Sequence, residues 1–268
     1  MAGTQHQKGE RFRALHEGGP FVIPNPWDAG SAKVLAGLGF EALATTSSGF
    51  AFTLGRHDSG VTLDEVVDHT RALVEAVDLP ISVDLENGYG ARPEQAASAI
   101  EHAAAAGAVG GSIEDYDPGE DRVYDLGHAV ERVVAAVEAA RSLDFPFVLT
   151  ARAENHIRGN PDLDDTIARL QAFERAGADV LYAPGLRTID EIKAVCGAMT
   201  KPVNVLARPK LALSEIFEAG AQRVSLGGSL AFLAVSAMAG AAETIRDDGD
   251  FTSITLGPKL GEWLSSLG

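Results

Sequence analysis

Two carboxylates and a glycine-rich turn mark the stretch of this sequence best suited to chemistry. Asp84 and Glu86 follow an apolar run at residues 81–83, and Gly88 and Gly90 follow them. Residues two apart on a strand share a face, so the spacing predicts that both acids point the same way. Two ionised acids on one face repel each other unless something positive lies between them. The pattern favours a divalent cation with oxygen ligands, and a pair of solvated loop acids is the alternative.

The elements that must position these acids can be predicted from the order of apolar runs. The predicted strands are residues 21–24, 42–46, 81–86, 109–115, 147–154, 180–183, 203–206 and 224–226. They are apolar on both faces, as buried parallel strands are, and helical patterns separate them. This alternation in 268 residues predicts one domain over residues 1–268, a (β/α)8 TIM barrel. An open doubly wound sheet is the alternative, but no Gly-x-Gly-x-x-Gly turn follows the first strand.

The connections carry local signals of their own. Thr62 and Glu65 form a capping-box pattern, which predicts a helix that begins there and runs to about Val77. Pro93 occupies a favoured first-turn position and predicts the next helix. Residues 47–61 and 116–125 are predicted as a long connection and a polar loop.

Active sites of barrels lie at the C-terminal ends of the strands, and polar residues collect at those ends here. These residues are Ser47, Ser48 and Gly49 after strand two, Asp84 and Glu86 after strand three, Glu114 on strand four, Arg152 on strand five and Asn204 on strand seven. The three acids can hold Mg²⁺, which usually keeps several waters. The arginine offers a fork for a substrate carboxylate, and the Ser-Ser-Gly turn offers hydroxyl and N–H donors to an anionic oxygen. An inward asparagine needs a partner, so Asn204 is predicted to contact substrate or a metal-bound water. Such a site suits a 2-oxo acid, because a metal can chelate it and stabilise an enolate.

Composition excludes several classes of function. The net charge of −16 and pI of about 4.8 disfavour nucleic-acid binding, since the surface repels phosphate backbones. No apolar stretch reaches the ~20 residues of a membrane span, and the first residues are polar rather than a signal segment. The single cysteine, Cys196, excludes an intrachain disulfide framework and predicts a cytoplasmic location.

The stretch from Asp84 to Gly90 resembles the Asp-x-Asp/Glu-x-Gly-Tyr-Gly signature of the isocitrate lyase/phosphoenolpyruvate mutase superfamily. Further blocks match in order: the Ser-Gly turn after strand two, residues 54–58, 111–115, 151–154 and 224–229. The resemblance covers about residues 10–245. It implies Mg²⁺ or Mn²⁺ at Asp84, Glu86 and Glu114 with Asp58 close by, and a substrate carboxylate at the Ser-Gly turn and Arg152. It also implies a (β/α)8 barrel whose last helix is swapped in dimers or tetramers, here within an oligomerisation segment of about residues 229–268.

The departures from the family pattern concern the proton donor. The family's lyases for isocitrate and methylisocitrate carry a Lys-Lys-Cys-Gly-His loop after strand four, but residues 114–122 contain no cysteine. Cys196 falls on a predicted helix away from the strand ends. The mutase lysine is replaced by Tyr116, which becomes the candidate acid by position, with Tyr124 and His128 as alternatives.

The resemblance and the residues together predict a Mg²⁺-dependent lyase or decarboxylase. It would cleave a C–C bond next to a 2-oxo or 2-hydroxy acid, so its partner is a small anionic substrate. Within the family, P–C bond chemistry by a phosphonomutase or phosphonopyruvate hydrolase is the alternative. From another class, a barrel that binds a small acid without turnover is the alternative, because the loop acid is missing.

Overall fold

Strands and helices alternate along the computed structural model, which describes residues 3–254, 257 and 259–265. The strands are β1 (Phe21–Ile23), β2 (Leu43–Ala44), β3 (Ile81–Asp84), β4 (Gly110–Glu114), β5 (Tyr116–Asp117), β6 (Arg122–Val123), β7 (Val148–Arg152), β8 (Val180–Tyr182), β9 (Val203–Leu206) and β10 (Arg223–Ser225). The helices are α1 (Gln5–Glu17), α2 (Ala29–Gly37), α3 (Ser47–Thr53), α4 (Leu63–Ala76), α5 (Pro93–Ala105), α6 (Leu126–Ser142), α7 (Leu163–Arg175), α8 (Ile189–Gly197), α9 (Leu213–Glu218), α10 (Ser229–Asp248) and α11 (Leu260–Ser265).

Eight parallel strands form the barrel in the order β1-β10-β9-β8-β7-β4-β3-β2. The two end strands meet where the Ala44 N–H donates to the Pro24 carbonyl at 3.1 Å, so the sheet is nearly closed. The predicted (β/α)8 barrel is therefore confirmed, and the open sheet is excluded. The strand ends converge on one rim, which brings residues far apart in sequence together.

The sequence did not predict helix α1, helix α3 or the strands β5 and β6. Helix α1 precedes the first strand, and its Phe12 packs into the barrel bottom against Phe21, Val148 and Val180. Helix α3 begins the stretch predicted as a connection, where the Thr46 hydroxyl accepts the Gly49 N–H as an N-cap. Strands β5 and β6 form an antiparallel hairpin inside the predicted loop 116–125. Each element is too short, or too polar, to show a clear hydrophobic period.

The last long helix, α10, leaves most of its apolar surface uncovered. Only Ala231 is buried among its residues. Phe232, Leu233 and Met238 are 43%, 66% and 64% exposed. No helix among the described residues is long and apolar enough to cross a membrane. Residues 255, 256, 258 and 266–268 of the predicted oligomerisation segment lie outside the described residues.

A half-buried histidine, His16, joins helix α1 to strand β10. The His16 Nδ1 lies 2.8 Å from the Phe12 carbonyl and its Nε2 lies 3.1 Å from Arg223 Nη1. Arginine only donates, so Nε2 accepts and the ring is neutral with its proton on Nδ1. Burial, and then the Arg223 charge, lower the pKa of His16 to about 3.

The contact between His16 and Arg223 predicts that the folded protein loses stability in acid. The unfolded chain takes up a proton at His16 near pH 6.5 and the folded chain only near pH 3, so the stability due to His16 falls as the pH drops between those values. The loss approaches about 1.4 kcal/mol per pH unit. We expect the free energy of unfolding of His16→Gln to depend less on pH across this window than that of the wild type, measured by urea denaturation. Parallel curves would contradict the assignment.

Candidate functional site

A cavity of about 170 Å³ opens at the C-terminal ends of the strands, on the barrel axis. This axial cavity is lined by Asn25, Thr45, Thr46, Ser47, Ser48, Asp58, Ser82, Asp84, Ser112, Arg152, Tyr182, Asn204, Arg223 and Ser225, together with apolar and glycine residues. Six of the predicted site residues are therefore brought to one space: Ser47, Ser48, Asp58, Asp84, Arg152 and Asn204. The other four, Gly49, Glu86, Glu114 and Tyr116, are not among the residues that line it.

Arg152 is the hub of the charges around the cavity. It ends β7, and its side chain is 13% exposed. Its Nη1 lies 2.8 Å from Asp84 Oδ1, and its Nη2 lies 2.9 Å from both Glu114 Oε2 and Glu154 Oε1. Its Nε also donates to Glu154 Oε1 at 3.1 Å. The fork predicted for a substrate carboxylate is thus engaged with carboxylates of the protein itself.

Asp84 is held from several sides. Its Oδ2 accepts the Ser47 N–H at 3.3 Å, and its own N–H donates to the Thr45 hydroxyl at 2.8 Å. The Ser112 hydroxyl lies 3.4 Å from Asp84 Oδ1. The carboxylate is therefore fixed at the cavity wall without being enclosed, since its side chain is 17% exposed.

Glu86 does not share a strand face with Asp84, contrary to the prediction. Strand β3 ends at Asp84, and Glu86 adopts the left-handed backbone conformation with φ of +48°. Its N–H turns back to Asp84 Oδ1 at 3.3 Å, and its side chain lines a neighbouring cleft with Ser59 and Tyr89. Burial, and then the Asp84 charge, raise the pKa of Glu86 to about 7. A strained residue of this kind is common at functional sites.

Glu114 lies behind Arg152 rather than on the cavity wall. Its side chain is 4% exposed and contacts the Arg152 and Arg158 guanidinium groups at 2.9 and 3.6 Å. Burial, followed by the nearby Glu154 charge, raises the pKa of Glu114 well above its ordinary value. The positive charge predicted between the acids is therefore partly supplied by arginine.

The carboxylates fit a divalent cation, and the three-ligand set of Asp84, Glu86 and Glu114 stays a prediction. Among the described residues, no three acidic, histidine or cysteine side chains converge closely enough to bind a metal. Acids nonetheless outnumber bases here: Asp58, Asp84, Glu86, Glu114 and Glu154 face Arg152 and Arg158. Mg²⁺ in proteins often takes one or two carboxylates and keeps several waters. Asp84 and Asp58, which both line the axial cavity, are suited to that role.

The Ser-Ser-Gly turn supplies fewer free donors than predicted. The Gly49 N–H is used in the α3 cap, and the Ser47 N–H contacts Asp84. The Ser48 hydroxyl lies 3.2 Å from the Thr46 hydroxyl and lines the cavity. A side chain on Gly49 would clash, because its Cβ would lie 2.6 Å from Thr46 Cγ2. Ser48 therefore offers a side-chain donor to a ligand, while Gly49 allows close packing.

The candidate proton donors of the loop lie away from the cavity. The Tyr116 hydroxyl donates to Asp121, and its ring lies 3.7 Å from the Arg158 guanidinium carbon. The Tyr124 hydroxyl accepts from Asn87 at 3.3 Å. His128 hydrogen-bonds the Ala91 carbonyl at 2.7 Å. None of these three is among the residues that line the cavity.

Tyr182 and Arg223 line the cavity but were not predicted as site residues. Tyr182 ends β8 within an apolar strand, and Arg223 begins β10. The Arg223 Nε donates to Asn204 Oδ1 at 2.8 Å, and Asn204 Nδ2 donates to the Ser225 hydroxyl at 3.0 Å. Tyr182 could have been found from its place at the C-terminal end of a barrel strand. Arg223 gave no such signal, because it lies at the other end of its strand.

Comparison with known proteins shows a relationship over most of the chain. Residues 12–246 match the model of a family described as phosphoenolpyruvate phosphomutase. An oxaloacetate decarboxylase of Bradyrhizobium sp. (strain BTAi1) is 30% identical over 82% of this chain and 78% of its own. The 2-methylisocitrate lyase of Escherichia coli K12 is 30% identical over 74% and 69%. A crystal structure from Burkholderia cenocepacia J2315, given only as a lyase/mutase, is 50% identical with a TM-score of 0.93, over 97% of this chain and 96% of that chain.

Proposed function

We propose that this chain, which belongs to the phosphoenolpyruvate phosphomutase family of the isocitrate lyase/PEP mutase superfamily, is a Mg²⁺-dependent lyase or decarboxylase. It would break a C–C bond next to a 2-oxo or 2-hydroxy acid and leave an enolate. The observation that carries this proposal is the axial cavity. Asp84, Asp58 and Arg152 line it together with the hydroxyl groups of serine and threonine side chains. Relatives named for decarboxylation of oxaloacetate and for cleavage of 2-methylisocitrate support a C–C reaction.

Asp84 and Asp58 would hold Mg²⁺ or Mn²⁺, with Glu86 and Glu114 as the further acids of the predicted set. When bound, the cation supplies stabilisation of the negative charge that develops on the 2-oxo oxygen. The chain's own groups do the rest. Ser48 and the Arg152 charge orient an anionic substrate, and the barrel wall excludes bulk water, which strengthens these interactions.

The cavity favours a small substrate. A cavity volume of about 170 Å³ is small for a ligand pocket, which suits an acid of a few carbon atoms. A decarboxylation of a short dicarboxylic 2-oxo acid is therefore the first choice among the C–C reactions.

The proposal is tested by supplying purified protein and Mg²⁺ with oxaloacetate, 2-methylisocitrate or phosphonopyruvate. Pyruvate release is followed for all three, and phosphoenolpyruvate formation is followed as well for phosphonopyruvate. We expect turnover of a C–C substrate that stops when EDTA is added. Turnover of phosphonopyruvate alone would establish P–C chemistry instead. Saturable binding of oxalate without turnover of any of the three would favour a non-catalytic acid-binding barrel.

We also propose that α10 packs on a second copy of the chain, in a dimer or tetramer. Its uncovered apolar side chains, with Leu233 66% exposed, are costly to leave in water. We expect light scattering on the purified protein to give a mass of at least two chains. Leu233→Asp should shift that mass toward one chain, whereas Leu38→Asp at the C-cap of α2, at 53% exposure, serves as the matched control. A monomeric wild type would contradict the proposal.

A further inference from the structure

We propose that Tyr182 is the acid that protonates the enolate carbon after the C–C bond has broken. This inference rests on the function proposed above and assigns the proton donor that the loop after the fourth barrel strand does not provide. Four observations carry it: the position of the phenol, the direction of its hydrogen bonds, the arginine beside it and the size of the cavity.

The position of Tyr182 is that of a catalytic group. It is the last residue of β8, and it lines the axial cavity. Among the described residues that line this cavity, it is the one phenol, and no histidine or cysteine lies with it. The remaining hydroxyl groups belong to serines and threonines, which are far weaker acids than a phenol. In a space of about 170 Å³, a bound acid lies close to the side chains that line it.

The hydrogen bonds leave the phenol proton free. Arg223 only donates, so Asn204 Oδ1 accepts and Asn204 Nδ2 must donate to the Ser225 hydroxyl. Ser225, whose hydroxyl accepts this bond, lines the cavity beside Tyr182 and acts to lower the pKa of the phenol. No hydrogen bond among the described residues uses the Tyr182 O–H as donor. The chain of donors that starts at Arg223 therefore leaves that proton available to the cavity.

The surroundings suit a phenol that loses and regains a proton. The Arg152 guanidinium carbon lies 5.3 Å from the centre of the Tyr182 ring, where its charge favours the phenolate. Burial nonetheless raises the pKa of Tyr182 to about 12, so the phenol carries its proton throughout the neutral range. Tyr182 therefore holds a proton whenever an enolate forms.

The step balances without another reactant. The electron pair of the enolate forms the new C–H bond at the carbon next to the carbonyl, and the Tyr182 O–H bond breaks. The carbonyl is restored, and the phenolate is stabilised by the Ser225 hydroxyl and the Arg152 charge. Water that enters as the product leaves returns a proton to the phenolate.

The test uses the reverse of this step. In D₂O with Mg²⁺, the wild type should exchange the methyl hydrogens of pyruvate for deuterium, followed by ¹H NMR, because the same group must remove the proton that it delivers. Tyr182→Phe should slow exchange at least about 100-fold, since a general acid contributes 10²–10⁴-fold. It keeps the ring beside Arg152, so its affinity for oxalate should stay within about threefold. Ser225→Ala keeps the phenol but loses its orienting donor, and we expect an intermediate loss.

The outcomes separate this inference from the proposed function. If the wild type neither turns over nor exchanges pyruvate hydrogens, the proposed function fails and the inference fails with it. If the wild type exchanges and Tyr182→Phe does so equally, the function stands and Tyr182 is not the acid. Loss of exchange in Tyr116→Phe, with retention in Tyr182→Phe, would overturn the inference in favour of the hairpin. A parallel loss of oxalate binding in Tyr182→Phe would show a structural role and also overturn it.

Discussion

Asp84→Asn should lower metal-dependent turnover by at least about 1,000-fold, equivalent to about 4 kcal/mol of transition-state stabilisation. Asparagine keeps the shape of the side chain but lacks the charge that a divalent cation requires. The fold should survive, because Arg152 still contacts Glu114 and Glu154. Steady-state kinetics and Mn²⁺ binding, followed by electron paramagnetic resonance, check both expectations.

The control for Asp84→Asn is Asp64→Asn. Asp64 is an exposed acid in the first turn of α4, so its loss changes the net charge equally without touching the cavity. We expect its turnover and Mn²⁺ affinity to match those of the wild type. Full turnover in Asp84→Asn, or equal losses in the two variants, would refute the metal assignment.

Arg152→Met should both abolish turnover and destabilise the protein by about 3–5 kcal/mol, since removing one partner leaves buried charges unpaired. For a domain of this size, the melting temperature should fall by roughly 6–20 °C. Arg152→Lys should recover part of the stability but little of the activity, because an ammonium group cannot contact Asp84, Glu114 and Glu154 together. Differential scanning calorimetry and kinetics separate the two effects.

The loss of stability in Arg152→Met, relative to the wild type, should depend on pH in a definite direction. Without the arginine, the pKa of Glu114 in the folded state rises further above its ordinary value of 4.5. Between the pKa of Glu114 in the folded wild type, which is itself well above 4.5, and the higher pKa in the folded variant, the folded variant binds more protons than the folded wild type. The loss of stability should therefore grow as the pH rises through that window and stay constant below it. Arg71→Met, which removes an exposed pair with Asp68, should cost less than about 1 kcal/mol at any pH. A loss of stability in Arg152→Met that does not change with pH would contradict the assignment of Arg152 as the group that lowers the pKa of Glu114.

The barrel could be predicted from the sequence, because its signal is repeated along the chain. Each apolar strand followed by a helical pattern predicts one β/α unit of the barrel. An error in the boundary of one element therefore does not change the predicted fold. The same regularity placed Asp84, Arg152 and Ser48 at one rim, where the structure has them. Helix α3 and the hairpin β5–β6 were missed because their lengths carry no clear period.

The direction of individual side chains could not be predicted. Strand spacing placed Glu86 beside Asp84, but the left-handed φ of +48° turns it into the neighbouring cleft. Nothing in the sequence indicates that the Arg152 guanidinium group contacts three carboxylates of the protein at once. His16 and Arg223 are 207 residues apart, so only the folded barrel shows that they meet. The Arg223–Asn204–Ser225–Tyr182 chain likewise depends on register between neighbouring strands.

The most direct measurement of the central claim is a crystal structure of the protein grown with Mn²⁺ and oxalate, with anomalous data collected for manganese. We predict one anomalous peak per chain in the axial cavity, within coordinating distance of an Asp84 oxygen and of oxalate. Oxalate bound in the cavity with no manganese peak beside Asp84 would contradict the claim.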